Sequence, residues 1–176
     1  MDLAEEIGFL AGDGVTGLHG IIPQAQAFNT ALLVPVNAGW NYIDVIACAV
    51  EQLQISKELP PTFVVLNPTD FWKIRRIKSS FGIYLLGNPG SIGAPMLWDL
   101  NILPTVNMPA GYFLVGCADP AAIEVRDHLE TQIEVSTSHS DFFTRDLVAV
   151  RGERRSALIV KRVNAFVYGA FSTSPA

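Results

Sequence analysis

FVVLNPTDFWKIRRIKSSFGIYLLG, residues 63–87, is the stretch whose reading decides the fold. Phe63-Val64-Val65-Leu66 is apolar without alternation, which predicts a short strand buried on both faces. Asn67-Pro68 follows at once: Asn can cap a helix with its side-chain oxygen, and Pro at the first helical position has φ already set. Asp70 falls in the first turn, where the helix dipole favours a carboxylate. Phe71, Ile74 and Ile77 recur at helical spacing and predict a helix over 68–78, with Arg75, Arg76 and Lys78 in a last turn that favours cations.

On the N-terminal side, residues 41–57 read as a second helix, capped by Asn41 and striped by Ile43, Ile46, Ala47, Val50 and Leu53, with Pro60-Pro61 as its stop. Residues 15–39 read as loop with short extended pieces. A first helix over 2–10 carries Leu3, Ile7 and Leu10 inward and ends at Gly12-Asp13-Gly14. Met1 opens directly into helical sequence and reads as a truncation point more than a natural start. On the C-terminal side, Gly82, Gly87, Pro89, Gly90, Gly93 and Pro95 mark a long loop over 79–99 that can carry a hairpin. Strands are expected near 101–106, 112–117, 122–126 and 129–136, then over 146–170 with a break near Val163-Asn164. Helices followed by many strands make an α+β pattern.

Composition narrows the class. The chain has 176 residues, 49% hydrophobic and only 16% charged, against a usual charged share of about 25%. That excludes disorder and suggests apolar surface covered by other copies of the chain. A net charge of −5 disfavours tight nucleic-acid binding, which needs a basic face. The start MDLAEEIGFL is not a signal peptide, and no apolar run reaches the ~18 residues of a membrane span. Cys48 and Cys117 sit in apolar contexts and read as buried free thiols.

Candidate chemistry is thin. Gly87-Asn88-Pro89-Gly90-Ser91-Ile92-Gly93 has neither spacing of a phosphate-binding loop and reads as a flexible loop. Ser138-His139-Ser140-Asp141 lacks the form of a nucleophile elbow and reads as a polar turn. His19, His128 and His139 are scattered, and Gly12-Asp13-Gly14 lacks further oxygen ligands for calcium. Arg151, Glu153 and Arg155 alternate and so share one face of a strand, with Arg154 and Arg162 on the other. A substrate groove is conceivable, but a charge ladder across neighbouring strands or subunits is the more natural use. Read from residues alone, this is an α+β domain with no recognisable catalytic site, metal site or cofactor site.

An ordered set of segments adds more. AEEIGFLAGDG with Gly20-Ile21, the helix at 41–57, the 63–87 string with Lys78-Ser79-Ser80-Phe81-Gly82-Ile83-Tyr84, then LWDLNILPTVNMPAGYFLVGCADPAAIEVRD and HSDFFTRDLVAVRGERRSALIVKRVNAFVYGAF, resemble in order the Hong Kong 97-type tailed-phage major capsid proteins. Ser79 stands where that family usually has Asp, Asp99 where it has Gly, and Asn164 where it has Pro. The resemblance spans nearly the whole chain. It implies the family's capsid fold, with an axial domain over 41–136 and a peripheral-domain portion made of 1–40 and 137–176. The family's N-terminal arm, extended loop and most of its spine helix would precede residue 1.

The resemblance also implies a structural, non-enzymatic protein, found in the virion and before assembly in the bacterial cytoplasm. Its partners would be copies of itself in pentamers and hexamers, with scaffold, protease, portal or cementing proteins; neither a membrane nor specific nucleic-acid binding is implied. Subunit-contact candidates are Gly87, Asn88, Pro89 and Gly90, placed at the capsomer centre, and Arg151, Glu153 and Arg155. Some family members cross-link an extended-loop lysine to an asparagine, with a glutamate as base. Asp146 stands at the asparagine position and Glu153 at the glutamate position, so the pair is expected inactive. An encapsulin-like shell of the same fold and, in a different class, a small intracellular enzyme with an unrecognised site are the alternatives.

Overall fold

A computed structural model describes residues 3–15, 17–33, 41–86, 96–136, 145–146 and 148–171. The helices are α1 (Leu3–Ala11), α2 (Tyr42–Ile55) and α3 (Pro68–Arg75). The strands are β1 (Gln26–Ala27), β2 (Phe63–Leu66), β3 (Met96–Leu97), β4 (Leu100–Pro104), β5 (Tyr112–Gly116), β6 (Ile123–Ser136), β7 (Ala149–Val160) and β8 (Phe166–Ala170). Six strands form one mixed sheet in the order β1-β8-β5-β2-β4-β3, while β6 and β7 form a separate two-stranded ribbon.

All four residues of β2 are buried, as their unbroken apolar run requires. The strand is parallel to β4 and antiparallel to β5. Val64 and Leu66 face α2 and α3, joining Val45, Ile46, Ala49, Leu53, Phe71 and Ile74. Phe63 and Val65 face the other way, toward Leu10 of α1, Leu114 and Phe166. The sheet thus has a core on each side. Helix α1 is amphipathic over one turn fewer than expected: Leu10 is buried, but Ile7 is half exposed.

Helix ends follow local hydrogen-bond supply. Asn41 caps α2 by accepting from the Ile43 and Asp44 N–H groups, and the Asp44 carboxylate accepts from the Asn41 N–H, which completes a capping box. The helix stops at Ile55, before the prolines. Lys57 takes the left-handed conformation (φ 53°), its N–H donates to the Gln54 carbonyl, and the Glu58 N–H donates to the Leu53 carbonyl. This is a Schellman ending with lysine where glycine is usual. Helix α3 also ends early, at Arg75. Lys78, expected in its last turn, instead pairs with Tyr84 across a small hairpin.

The start of α3 is fastened to the turn between β4 and β5. The Asn67 amide donates to the Met108 carbonyl at 2.7 Å while its oxygen caps the Thr69 N–H. Asp70 is fully buried. One of its oxygens accepts from Lys73 Nζ at 2.8 Å and the other from the Gly111 N–H at 2.5 Å. Gly111 adopts φ 84°, which favours glycine, and its carbonyl accepts from the Phe171 N–H just past β8.

Two expectations about strands are corrected. The segments 122–126 and 129–136 are one strand, β6, whose register against β7 shifts between Asp127 and Leu129 and again between Leu129 and Gln132. The stretch 146–170 does not lie wholly in a second sheet. Residues 163–165 form a 3₁₀ turn, and β8 then pairs with β5 and β1 in the main sheet. Ala165, Phe166 and Val167 are fully buried there, so apolar burial draws the chain back after the turn. Strand pairing links β8 both to β1, within the expected peripheral ranges, and to β5 in the expected axial range.

Asp70→Ala is expected to lower the unfolding free energy by roughly 1–3 kcal/mol, because the Gly111 N–H and Lys73 lose a charged acceptor. Urea denaturation measures it; a midpoint equal to that of the parent chain would show the clasp to be idle.

Candidate subunit-contact surface

The ribbon carries its charges in two clusters along one face. Pairing sets Gln132 opposite Glu153, Glu134 opposite Arg151, Val135 opposite Val150 and Ile133 opposite Gly152. Side chains alternate across a strand, so Gln132, Glu134, Arg151 and Glu153 share a face, and Ile133, Val135 and Val150 share the other. The expected alternation of Arg151, Glu153 and Arg155 holds, and within β7 Glu153 pairs with both arginines. Arg155 Nε donates to Glu153 Oε1 at 3.0 Å, and Arg151 Nη2 donates to Glu153 Oε2. The arginines, Arg155 foremost, lower the Glu153 pKa.

A second cluster lies at the root of the ribbon. Arg126 Nε donates to Glu124 Oε1 at 2.8 Å, and Lys161 Nζ lies 2.6 Å from Glu124 Oε2. Lys161 Nζ also donates to the Pro120 carbonyl at 2.9 Å, and its N–H donates to the Ala122 carbonyl. Glu124 is thereby held at a pKa of about 2, through Arg126 first and Lys161 second. Residue-by-residue reading did not find this cluster, because Lys161 lies 35 positions beyond Arg126 and 37 beyond Glu124, just past the paired strand β7.

The opposite face of the ribbon exposes several aliphatic side chains. Ile133 is 71% exposed and Val150 is 68% exposed, with Val125, Val135 and Val148 at least half exposed. Asp146 adopts a left-handed conformation (φ 52°) just before β7.

A second open patch is the hairpin after α3. The Ser79 N–H donates to the Ile83 carbonyl at 2.8 Å, the Gly82 N–H to the Ser79 carbonyl and the Leu85 N–H to the Ile77 carbonyl. Gly82 supplies φ 80°, and Lys78 Nζ lies 4.6 Å from the centre of the Tyr84 ring. This framework presents Phe81, 90% exposed, and Ile83, 68% exposed, to solvent. Gly87, Asn88, Pro89 and Gly90, and the Ser138–Asp141 turn, lie outside the described residues.

Cys48 and Cys117 are free thiols, Cys117 buried and Cys48 only partly so. Burial, with Glu51 and Asp44, raises the Cys48 pKa. Among the described residues no group of His, Cys, Asp and Glu side chains is arranged to hold a metal ion, and no helix is long and apolar enough to cross a membrane.

Comparison with known proteins supplies the context for these surfaces. The family model described as "Phage capsid family" matches residues 1–171. The major capsid protein of Enterobacteria phage HK97 is 35% identical over 173 residues, which is 97% of this chain and 43% of that protein. Among solved structures, the capsid of an empty GTA particle computed with C5 symmetry superposes with a TM-score of 0.73 at 18% identity, over 97% of this chain and 62% of that one. A structure titled Microbacterium phage Oxtober96 gives 0.71 at 13% identity, over 95% of this chain and 60% of that one. The chain spans less than half the length of the curated relative it matches.

The Glu124 cluster makes a pH prediction. Its folded pKa of about 2 lies below the ordinary 4.5, so the pairing is fully present above pH ~4.5 and is lost as pH falls through ~2. Carboxyl NMR titration should place the Glu124 midpoint near the lower value and return it toward the ordinary one in Arg126→Gln/Lys161→Gln. An unmoved midpoint in that double variant would refute the assignment.

Proposed function

Because the chain belongs to the phage capsid family, its model matching residues 1–171, we propose that it forms the axial and part of the peripheral region of a major capsid protein. Copies of it assemble into pentamers and hexamers of an icosahedral shell around phage DNA. The observation that carries this reading is the 35% identity to the HK97 major capsid protein, which runs through 97% of the chain. Its role is structural rather than enzymatic, and its place is the virion. The encapsulin-like alternative is the less favoured, since both the family match and the curated relative are phage capsid proteins. The catalytic alternative finds no support in a surface whose open features are apolar strands and paired charges.

In this reading the axial domain is the six-stranded sheet with α2 and α3, and the ribbon β6–β7 belongs to the peripheral domain. That division moves residues 166–170 into the axial group, where β8 is hydrogen-bonded to β5. Gly87, Asn88, Pro89 and Gly90 belong at the capsomer centre, and Arg151, Glu153 and Arg155 face neighbouring subunits from the ribbon.

The test of the shell reading is electron microscopy of particles made from the whole gene product: closed icosahedral shells are expected, and their absence in every assembly condition would overturn it.

Covalent cross-linking through Asp146 and Glu153 is expected not to occur. An ionised aspartate resists attack by an amine, and oxide is a poor leaving group. Glu153 is a poor base here for a structural reason, since Arg151 and Arg155 hold its carboxylate in the charged form and lower its pKa. Mature particles should run as a single monomer band on a denaturing gel. A ladder that survives boiling and reductant and vanishes in Glu153→Ala would refute this.

A further inference from the structure

The two helices on one face of the sheet carry opposite charge. Helix α2 bears Asp44 and Glu51 and no cation. Between residues 73 and 78 the chain carries Lys73, Arg75, Arg76 and Lys78, and the only carboxylate of α3 is the buried Asp70. Asp44, Cys48, Glu51 and Ile55 recur at helical spacing and form one stripe along α2. Cys48, in the middle of the stripe, packs against the core and its thiol donates to the Leu32 carbonyl, so the open part of the stripe is Glu51 and Ile55. Glu51 is exposed, and Ile55, 62% exposed, ends the stripe. Beyond it lies Lys57, and Glu58 is already paired with Arg162 at 3.3 Å.

The C-terminal half of α2 lies toward the β1 end of the sheet, while its N-terminal end meets α3 and the β3–β4 turn, where Lys73 Nζ lies 5.6 Å from the centre of the Tyr42 ring and Trp98 Nε1 donates to the Ile43 carbonyl at 3.1 Å. The Gln52 amide donates to the Ala27 carbonyl at 3.1 Å, and its oxygen accepts from the Asn29 N–H at 2.8 Å. These bonds tie the C-terminal half of α2 to the β1 end. Helix α3 lies in the crossover between the parallel strands β2 and β4, and the hairpin that follows leads on toward the β3 end.

We propose that the hairpin of residues 77–85 and its basic flank dock on the acidic α2 stripe of the next copy of this chain. The proposal rests on the shell reading and names one contact within it. Phe81 and Ile83 form an apolar knob that hydrogen bonds and Gly82 already hold in place, so little ordering entropy is lost on docking. Around the knob Arg76 and Lys78 are exposed cations, and the stripe offers Ile55 for the knob and Glu51 for the cations. Every copy carries both halves, on separate elements, so the contact is heterologous and closes into a ring when the rotation between copies permits.

Sedimentation velocity of the chain tests this with a charge exchange. Glu51→Lys alone and Arg76→Glu alone should each weaken self-association by roughly tenfold or more, since like charges then meet at the contact. Mixing the two variants should restore it, because each new charge meets its opposite on the other variant. Phe81→Ser should weaken association with no rescue in any mixture. Raising salt from about 0.05 M to about 0.5 M should weaken association of the parent chain. Circular dichroism confirms that each surface variant is folded. Variants that associate like the parent, a mixture that fails to recover, or a parent chain that stays monomeric would each overturn the contact. None of these outcomes bears on whether whole particles form, which the electron microscopy decides separately.

Discussion

A four-residue strand cannot be buried on both faces unless something pairs with both of its edges and something covers both of its sides. Phe63–Leu66 imposes that demand. Its backbone groups are met by β4 on one side and β5 on the other. Its side chains are met by α2 and α3 above and by α1, Phe166 and their neighbours below. A buried backbone group without a partner costs about as much as a lost hydrogen bond, so each of those elements is held by the same short strand. The clasp from Asn67 and Asp70 to Met108 and Gly111 then fixes where α3 begins, and the Gly111 carbonyl passes the constraint on to Phe171.

The parts of the fold that are legible in the sequence are those governed by neighbours along the chain. An unbroken apolar run followed by Asn-Pro gives β2 and the start of α3. A stripe with a capping Asn gives α2. What sequence reading misplaces is governed by distant partners. Residues 166–170 look like a continuation of the preceding strand, yet Phe166 and Val167 find their burial against β5, about fifty residues earlier. The two register shifts inside β6 are set by β7 and have no local signature. Lys57 shows a third kind of miss, since a left-handed helix ending is normally announced by glycine, and here a lysine accepts the strain.

The candidate surface divides in the same way. The alternation of Arg151, Glu153 and Arg155 places them on one face without any structure. Their partners do not follow from alternation: Glu153 accepts from both arginines along its own strand, so one carboxylate is shared between two cations and this stretch of β7 keeps a net positive charge. The apolar knob at Phe81 was hidden because Lys78 and Tyr84 belong by pattern to a helix end and a loop, and only their pairing turns the segment between them outward.

The ribbon has a mechanical consequence. Both of its strands join the rest of the chain at one end, where Ala122 and Pro120 accept from Lys161 and Arg162, and among the described residues neither strand pairs with the six-stranded sheet. Twelve residues of β7 at about 3.3 Å each make an arm of roughly 40 Å. A tilt of about 4° at the root of such an arm moves its tip by about 3 Å, the length of a hydrogen bond. The ribbon therefore has the geometry of a lever on a packed block. A small rotation at its root is magnified at its tip while the double core around β2 keeps its packing.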